Sequence, residues 1–325
     1  MKKICVQLGI LLLVFADIAL AQSWTPQKNV EIVVGSAPGG SNDRTARQVQ
    51  RILTENKLVN VTLTVVNRSG GGGNIAYTYV NQRAGDAHYL LIGTPSLLTN
   101  HITGMGSLYY GDFTPIASLF NDYTVFAVNA GSPIAAGQDL IARLKKDPQS
   151  VATGFATTFG SHQHIAACLL VKALGGAPRE LKAVAFKGSA EAITALLGGH
   201  VDLVTTAAGN AAGHVAAGRM RVVAVAAPNR LGGALAGVPT WKEQGVDLVF
   251  GGWRAIMGPK GLTPAQVAYW EDALSRATKV PEWKTDLEKN FWSDDFVTSR
   301  QFRKDLEKGY ADMKAVLVDI GLAKQ

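Results

Sequence analysis

Short runs of apolar residues, rich in Val and Ile and unbroken by polar positions, recur along this chain with helical stretches between them, and that alternation limits its fold more than any other feature. The runs fall at 30–35, 61–66, 89–93, 123–128, 184–186, 201–205 and 222–226. A strand apolar at every position, rather than at every second one, is covered by helices on both faces. Helical periodicity predicts helices at 42–56, 75–83, 138–146, 164–174, 191–198 and 265–279. Strand then helix, repeated, means mainly parallel sheets with right-handed crossovers. The strands outnumber a comfortable single sheet, and the pattern pauses at 129–137, so two sheets are expected. Asn129 to Pro133 reads as one crossing between them, and the stretch from Val249 to Trp253 as a second. The charged segment 263–322 has helical periodicity and no strand of its own, so it is expected to pack back on the first lobe. The expected architecture is α/β, with lobe 1 at 22–128 plus 250–325, lobe 2 at 129–249, and two connecting strands as a hinge.

The N-terminus bears on where such a chain works. Lys2 and Lys3 precede an apolar run from Ile4 to Ala16, followed by Ala19-Leu20-Ala21, the pattern of a secretory signal cut before Gln22. Asp17 ends the run too early for a membrane span of roughly 20 apolar residues. Cys5 lies before the run, where it is badly placed for lipid attachment. Removing 1–21 leaves Cys168 as the single cysteine, so an exported chain is held by burial alone without an internal disulfide. Length and 47% hydrophobic content suffice for two cores. The net charge of +7 is scattered, with no basic run of five, which argues against nucleic acid and for a mild bias toward small anions.

Three strand-to-helix junctions carry unusual Gly, Ser, Thr and Asn content: 36–43 (SAPGGSND), 67–74 (NRSGGGGN) and 156–162 (ATTFGSH). Unpaired N–H groups and the helix dipole make such junctions attract anions. Each alone is equally well a tight turn with a helix cap; together, at the ends of buried parallel strands, they lie where open α/β sheets place ligands. Other chemistries fail on residue type. Gly35 and Gly40 have P-loop spacing, but Ser41 stands where the lysine belongs, and Ile75 occupies the last glycine position of a dinucleotide fingerprint. His162 and His164, two apart on a helix, face away from one another and cannot share a metal, so capping and core contacts are expected of them. No Gly-x-Ser-x-Gly elbow occurs, Cys168 falls in an apolar helix, and Asp294-Asp295 reads as a solvated face. The aromatic residues from Trp241 to Trp292 lie mostly at helical spacing, as core residues do. No nucleophile, base and orienter assemble, so no enzyme activity and no cofactor or metal is expected.

In this order the motifs are recognisable. Pro38-Gly39-Gly40-Ser41-Asn42-Asp43, Asn67-Arg68, Gly72-Gly73-Asn74-Ile75, Gly85-Asp86, Gly93-Thr94-Pro95, Gly160-Ser161-His162-Gln163-His164, Phe186-Lys187-Gly188-Ser189, Leu197 to Asp202 and Val238-Pro239-Thr240 together resemble the Bug-type (TctC-like) solute-binding proteins of tripartite tricarboxylate transporters along essentially the whole mature chain. The resemblance implies a type II periplasmic-binding fold, a monomer without cofactor, that closes over a small organic carboxylate and delivers it to membrane permease subunits. By the same resemblance the ligand-binding residues are Ala37, Gly39, Gly40, Ser41 and Asn42 of the first loop; Gly72, Gly73 and Asn74 of the second; and Thr94. From the second lobe come Thr158, Gly160, Ser161 and His162, then Lys187, Gly188, Thr206 and Asn210. Neutral amides and hydroxyls hold a carboxylate without burying an unpaired counter-charge, and bridging water admits ligands of differing length. Three positions depart from the family pattern: Thr206-Ala207 where relatives carry Asp-Asn, Phe186 for a common tyrosine, and Arg254 after Trp253 where an apolar residue is usual. They imply a guest without an ammonium group, a di- or tricarboxylate or an aromatic acid, with Lys187 or Arg254 as partial counter-charge. A ligand-presenting adaptor for a membrane sensor would share this fold and pocket, and a periplasmic enzyme on a carboxylate is the remaining rival.

Overall fold

The computed structural model describes residues 24–39, 41–156 and 158–324; the expected leader, 1–21, and the loop residue Gly40 lie outside the described residues. The chain begins β1 (Val30–Val34), α1 (Ser41–Glu55), β2 (Leu63–Asn67), α2 (Asn74–Asn81), β3 (Tyr89–Gly93), α3 (Ser96–Thr103). β1 pairs in parallel with β2 and with β3. Successive side chains of a strand point to opposite faces, and here both faces are roofed. Val30, Ile32 and Val34 pack with Val49, Ile52 and Leu53 of α1, whereas Val33 joins Ala76 and Val80 of α2 in a different core. The uninterrupted apolar run is the consequence.

There follow β4 (Phe113–Asn129), α4 (Gly137–Lys146), β5 (Thr153–Ala156), α5 (His162–Ala173), β6 (Ala183–Phe186), α6 (Ser189–Leu197), β7 (Leu203–Ala207), α7 (Ala208–Ala216), β8 (Met220–Val225) and β9 (Gly251–Pro259). The chain closes with α8 (Pro264–Ala277), α9 (Pro281–Asn290), β10 (Val297–Thr298) and α10 (Ser299–Asp319). One sheet runs β2-β1-β3-β9-β4 and the other β4-β7-β5-β6, with β8 and β10 also pairing with β4. β4 is therefore shared. Phe113 to Tyr123 pairs antiparallel with β9, and from Thr124 onward the partners are β7 and β8. The result is an α/β fold of two helix-flanked lobes, mixed rather than purely parallel because β4 and β9 run against their neighbours. Among the described residues no helix is long and apolar enough to cross a membrane.

Four sequence expectations change. The first crossing lies inside β4, at Tyr123 and Thr124, not at Asn129 to Pro133; Asn129 ends the strand, and its side-chain oxygen accepts from the Gly131 N–H at 2.9 Å to make the turn. The first half of β4 was hidden because Pro115, Ser118, Asn121 and Asp122 interrupt its apolar run, and β5 because its Thr-Gly-Phe-Ala has no β-branched cluster. The C-terminal segment does contain a strand, β10, paired antiparallel with β4 at Ala117 and Ser118. Asp295 is not on a solvated face: it accepts from Asn121 Nδ2 at 3.1 Å, from the Tyr123 hydroxyl at 3.3 Å and from the Ser293 hydroxyl, tying the C-terminal segment to β4 next to the crossing. This segment also reaches both lobes. Trp270, Trp283 and Leu287 pack under the first sheet with α1, while an ion pair between Asp319 of α10 and Lys172 of α5 touches the second.

Candidate functional site

The first loop is shaped by a buried carboxylate. Asp43, in the first turn of α1 and only 2% exposed, accepts from the Gly39 N–H at 2.8 Å, Arg47 Nε at 2.9 Å and Asn67 Nδ2 at 3.0 Å. Asn67 also donates to the Ser36 carbonyl at 3.0 Å. Burial opposes ionisation of Asp43, yet these donors together hold its carboxyl below the ordinary aspartate value. Asp43 and Asn67, both in recognisable motifs, thus brace the turn that delivers Ser41 to the cleft.

A cavity of about 150 Å3 lies between the lobes, and four helices begin at its wall. Ser41 opens α1, His162 and Gln163 open α5, Ser189 opens α6, and Ala207, Gly209 and Asn210 flank the start of α7. Each helix start carries N–H groups without intrahelical partners and the positive end of a dipole, worth roughly half an elementary charge. The crossing strands add Asp122 from β4 and Arg254 from β9; Asn290 and Trp292 close the C-terminal side, and Arg44 stands at the exposed rim.

Arg254 and Asp122 dominate the electrostatics. They are 6% and 3% exposed, and Arg254 Nη2 stands 3.9 Å from Asp122 Oδ2, too far for a hydrogen bond. Arg254 Nη1 is committed to the carbonyls of Gly252 at 2.9 Å and Trp253 at 3.2 Å. Arg254 Nε and Asp122 Oδ1 are buried without a hydrogen-bond partner among the described residues. Burial pushes the Asp122 carboxyl up to about 6, against the opposing pull of Arg254, the Trp292 indole and Arg44. Burial, and then Arg254, push the His162 ring down to about 3, so it lines the cavity as a neutral imidazole. Gly252 lets Arg254 and His162 approach: a Cβ there would stand 3.1 Å from Arg254 Nη1 and 3.4 Å from His162 Nε2.

Of the residues singled out from sequence, Ser41, His162 and Asn210 line this cavity. Thr206 is buried behind Asn210, whose Nδ2 donates to its hydroxyl at 3.2 Å. Ser161 caps α5, accepting from the His164 N–H at 3.5 Å, and the Gly160 N–H donates to His164 Nδ1 at 3.0 Å. Gly188 caps α6 one residue before Ser189. Ala37, Gly39 and Thr158 are exposed and Asn42 is half-buried; Lys187 is exposed too, its N–H donating to Glu191 Oε2 at 2.9 Å. The second loop does not line the cavity. Asn100 Nδ2 donates to the Gly72 carbonyl at 3.1 Å and Asn74 Oδ1 at 3.2 Å, and Asn74 Nδ2 donates to the Met105 carbonyl at 2.8 Å. Gly73 instead props the first loop, since a Cβ on Gly35 would come within 2.9 Å of Gly73 Cα. Thr94 is buried beside the Tyr77 hydroxyl. Sequence reasoning missed Arg44, Asp122, Gln163, Ser189, Gly209, Asn290 and Trp292, and it flagged Arg254, which does line the cavity, as a departure and a partial counter-charge. An acid and an arginine on facing crossing strands were the available signal for the pair.

Among the described residues, His164 and Cys168 form an arrangement with a nucleophile's look, with Cys168 Sγ 3.4 Å from His164 Nε2. Burial drives them apart chemically: the thiol is pushed up to about 12 and the imidazole down to about 4, the reverse of an activated pair. No group of three or more His, Cys, Asp or Glu that could hold a metal occurs among the described residues.

The profile described as "Tripartite tricarboxylate transporter family receptor" (TctC) matches residues 45–322. The chain belongs to this family. A UPF0065 protein from the gbd 5' region of Cupriavidus necator is 27% identical over 92% of this chain and 89% of its own length. BugT of Bordetella pertussis is 29% identical over 74% of this chain and 73% of its own. Among solved structures, an R. palustris protein with adipate superposes with a TM-score of 0.77 at 26% identity, covering 92% of this TctC-family chain and 99% of that one. A TctC solute-binding protein from Polaromonas gives 0.77 at 24% identity, over 90% and 98%, which bears on the fold alone. The two-lobed α/β architecture of this chain is that of TctC solute-binding proteins.

Proposed function

We propose that this TctC-family chain is an exported periplasmic receptor that captures a small organic carboxylate between its lobes and delivers it to the membrane permease subunits of a tripartite tricarboxylate-type transporter. The observation that carries the reading is the convergence of four helix starts and the Arg254 guanidinium on one cavity where Asp122 is the one lining acid among the described residues and is pushed toward its neutral form. Such a wall favours an anion, and the proposed receptor binds and releases it without chemistry. The adipate-bound relative supports an acid as guest. The proposed lobes are 22–128 with 250–325 and 129–249, and the change of β4 partners at Thr124, inside the strand and a few residues before that boundary, supports a hinge on the crossing strands. Because both lobes contribute to the wall, a guest binds the shut form better and shifts the population toward it. The proposed working state is monomeric, without cofactor or nucleic acid.

A thermal-shift panel of mono-, di- and tricarboxylates with amino acids and sugars beside them, followed by calorimetry on the hits, tests this. At least one acid is expected to raise the melting temperature and bind with 1:1 stoichiometry; at a hundredfold excess over Kd the gain is about 2.7 kcal/mol. A panel in which amino acids or sugars shift the protein and no acid does would overturn the reading.

A further inference from the structure

We infer that the Arg254–Asp122 pair selects hydroxy acids: one guest carries a carboxylate for Arg254 and, on the adjacent carbon, a neutral hydroxyl donor for Asp122. The inference rests on the receptor reading above and specifies its ligand.

The argument starts from which atoms are spoken for. A guanidinium has five N–H donors in a planar fork. Nη1 is satisfied by the carbonyls of Gly252 and Trp253, which fixes the plane of the group. Nε is buried without a partner, and the acid oxygen facing Nη2 is 3.9 Å away. Nε and Nη2 together form the edge that grips a carboxylate through two parallel hydrogen bonds. Asp122, on the facing strand, has the opposite need: Oδ1 is buried and lacks a donor. Leaving either group unmatched is costly, and a guest that matches both recovers that cost. A carboxylate alone answers Arg254 and sets its negative charge against Asp122. A carboxylate with a neighbouring hydroxyl answers both, since the two demands lie on facing strands.

Charge and size narrow the guest further. Arg254 and Asp122 balance one another, Arg44 adds a positive charge at the rim, and four helix starts add positive potential, so a net anion fits better than a zwitterion. His162, held neutral, offers no charge for a second buried carboxylate. A cavity of about 150 Å3 is comparable to one that admits a benzene ring, about six heavy atoms. An acid of three or four carbons bearing one hydroxyl meets these limits.

Calorimetry of the purified full chain with 2-hydroxybutanoate, 2-oxobutanoate, butanoate and 2-aminobutanoate, and with the four-carbon diacids malate and succinate, tests the inference. Each hydroxy acid is expected to bind at least about tenfold tighter than its unhydroxylated or oxo counterpart. Asp122→Asn, which replaces an acceptor by a group that also donates, is expected to bring 2-hydroxy- and 2-oxobutanoate within about threefold of one another. Arg254→Met is expected to weaken every acid by about a hundredfold. Equal affinity of hydroxy and unhydroxylated acids for the wild-type protein overturns the inference alone, and this comparison needs no variant to fold. An unchanged ratio in Asp122→Asn does the same. If no carboxylate binds at all, the receptor reading falls and takes the inference with it.

Discussion

Asp43 does at the residue scale what a ligand would otherwise have to do: it gathers the Gly39 amide, Arg47 and Asn67 and thereby holds the first loop in its turn. Asp43→Ala is expected to cost about 2–3 kcal/mol in urea denaturation, because a buried charged acceptor and three hydrogen bonds go together; a loss below a few tenths would show that the loop holds itself. The histidines set the acid limb. His162 and His164 are pushed down to about 3 and about 4, so they bind fewer protons folded than unfolded. The stability they contribute is complete above the ordinary histidine value of 6.5 and is lost as pH falls. Asp122, raised to about 6, acts oppositely: its contribution is complete below 3.8 and is lost as pH rises through 6. Two downward shifts outweigh one upward shift, so calorimetric melting temperature is expected to rise between pH 4.5 and pH 7. His162→Gln should flatten the rise, and a flat or falling wild-type profile would contradict these placements.

At the scale of elements, the cleft is set by how closely helix ends approach. Gly209, in the first turn of α7, faces the last residue of α9: a Cβ there would stand 3.0 Å from the Asn290 carbonyl oxygen. Gly209→Leu is therefore expected to wedge α7 from α9 and lower acid affinity at least about tenfold in calorimetry, leaving far-UV circular dichroism unchanged; unaltered affinity would mean that these ends do not meet in the binding form. The elements themselves were legible wherever one period ruled. β1, β3 and the six expected helices follow from unbroken apolar runs or from stripes like Ala46, Val49, Ile52 and Leu53. β4 was only half legible, because a crossing strand is buried by different neighbours along its length and carries Asn121 and Asp122 where it meets the cleft. The candidate site divides the same way. Ser41, His162 and Asn210 are marked by sitting at helix starts after strands, a local signal. Asp122 and Arg254 come 132 residues apart in the chain and are brought together only by the pairing of β4 with β9. The second glycine loop looks like the first in sequence and differs in what packs on it, namely Asn100 and the Met105 carbonyl.

For the whole molecule, the proposed function makes the two lobes and their shared strands one device, with helix starts from both halves at the wall of a single cavity. The C-terminal segment belongs to that device, since Asp295 fastens it to β4 beside the crossing and α10 reaches α5 through Asp319 and Lys172. Closure on a guest is expected to lower the radius of gyration in small-angle scattering, and scattering that does not change at saturating acid would leave the hinge without a role. The most direct measurement is a crystal structure of the protein grown with a bound small hydroxy acid. The expected density places a carboxylate oxygen within about 3 Å of Arg254 Nε or Nη2, with first-turn amides of α1, α5, α6 or α7 completing its contacts. An acid lodged instead beside Gly72 to Asn74, or held on the surface by Lys187, would contradict it.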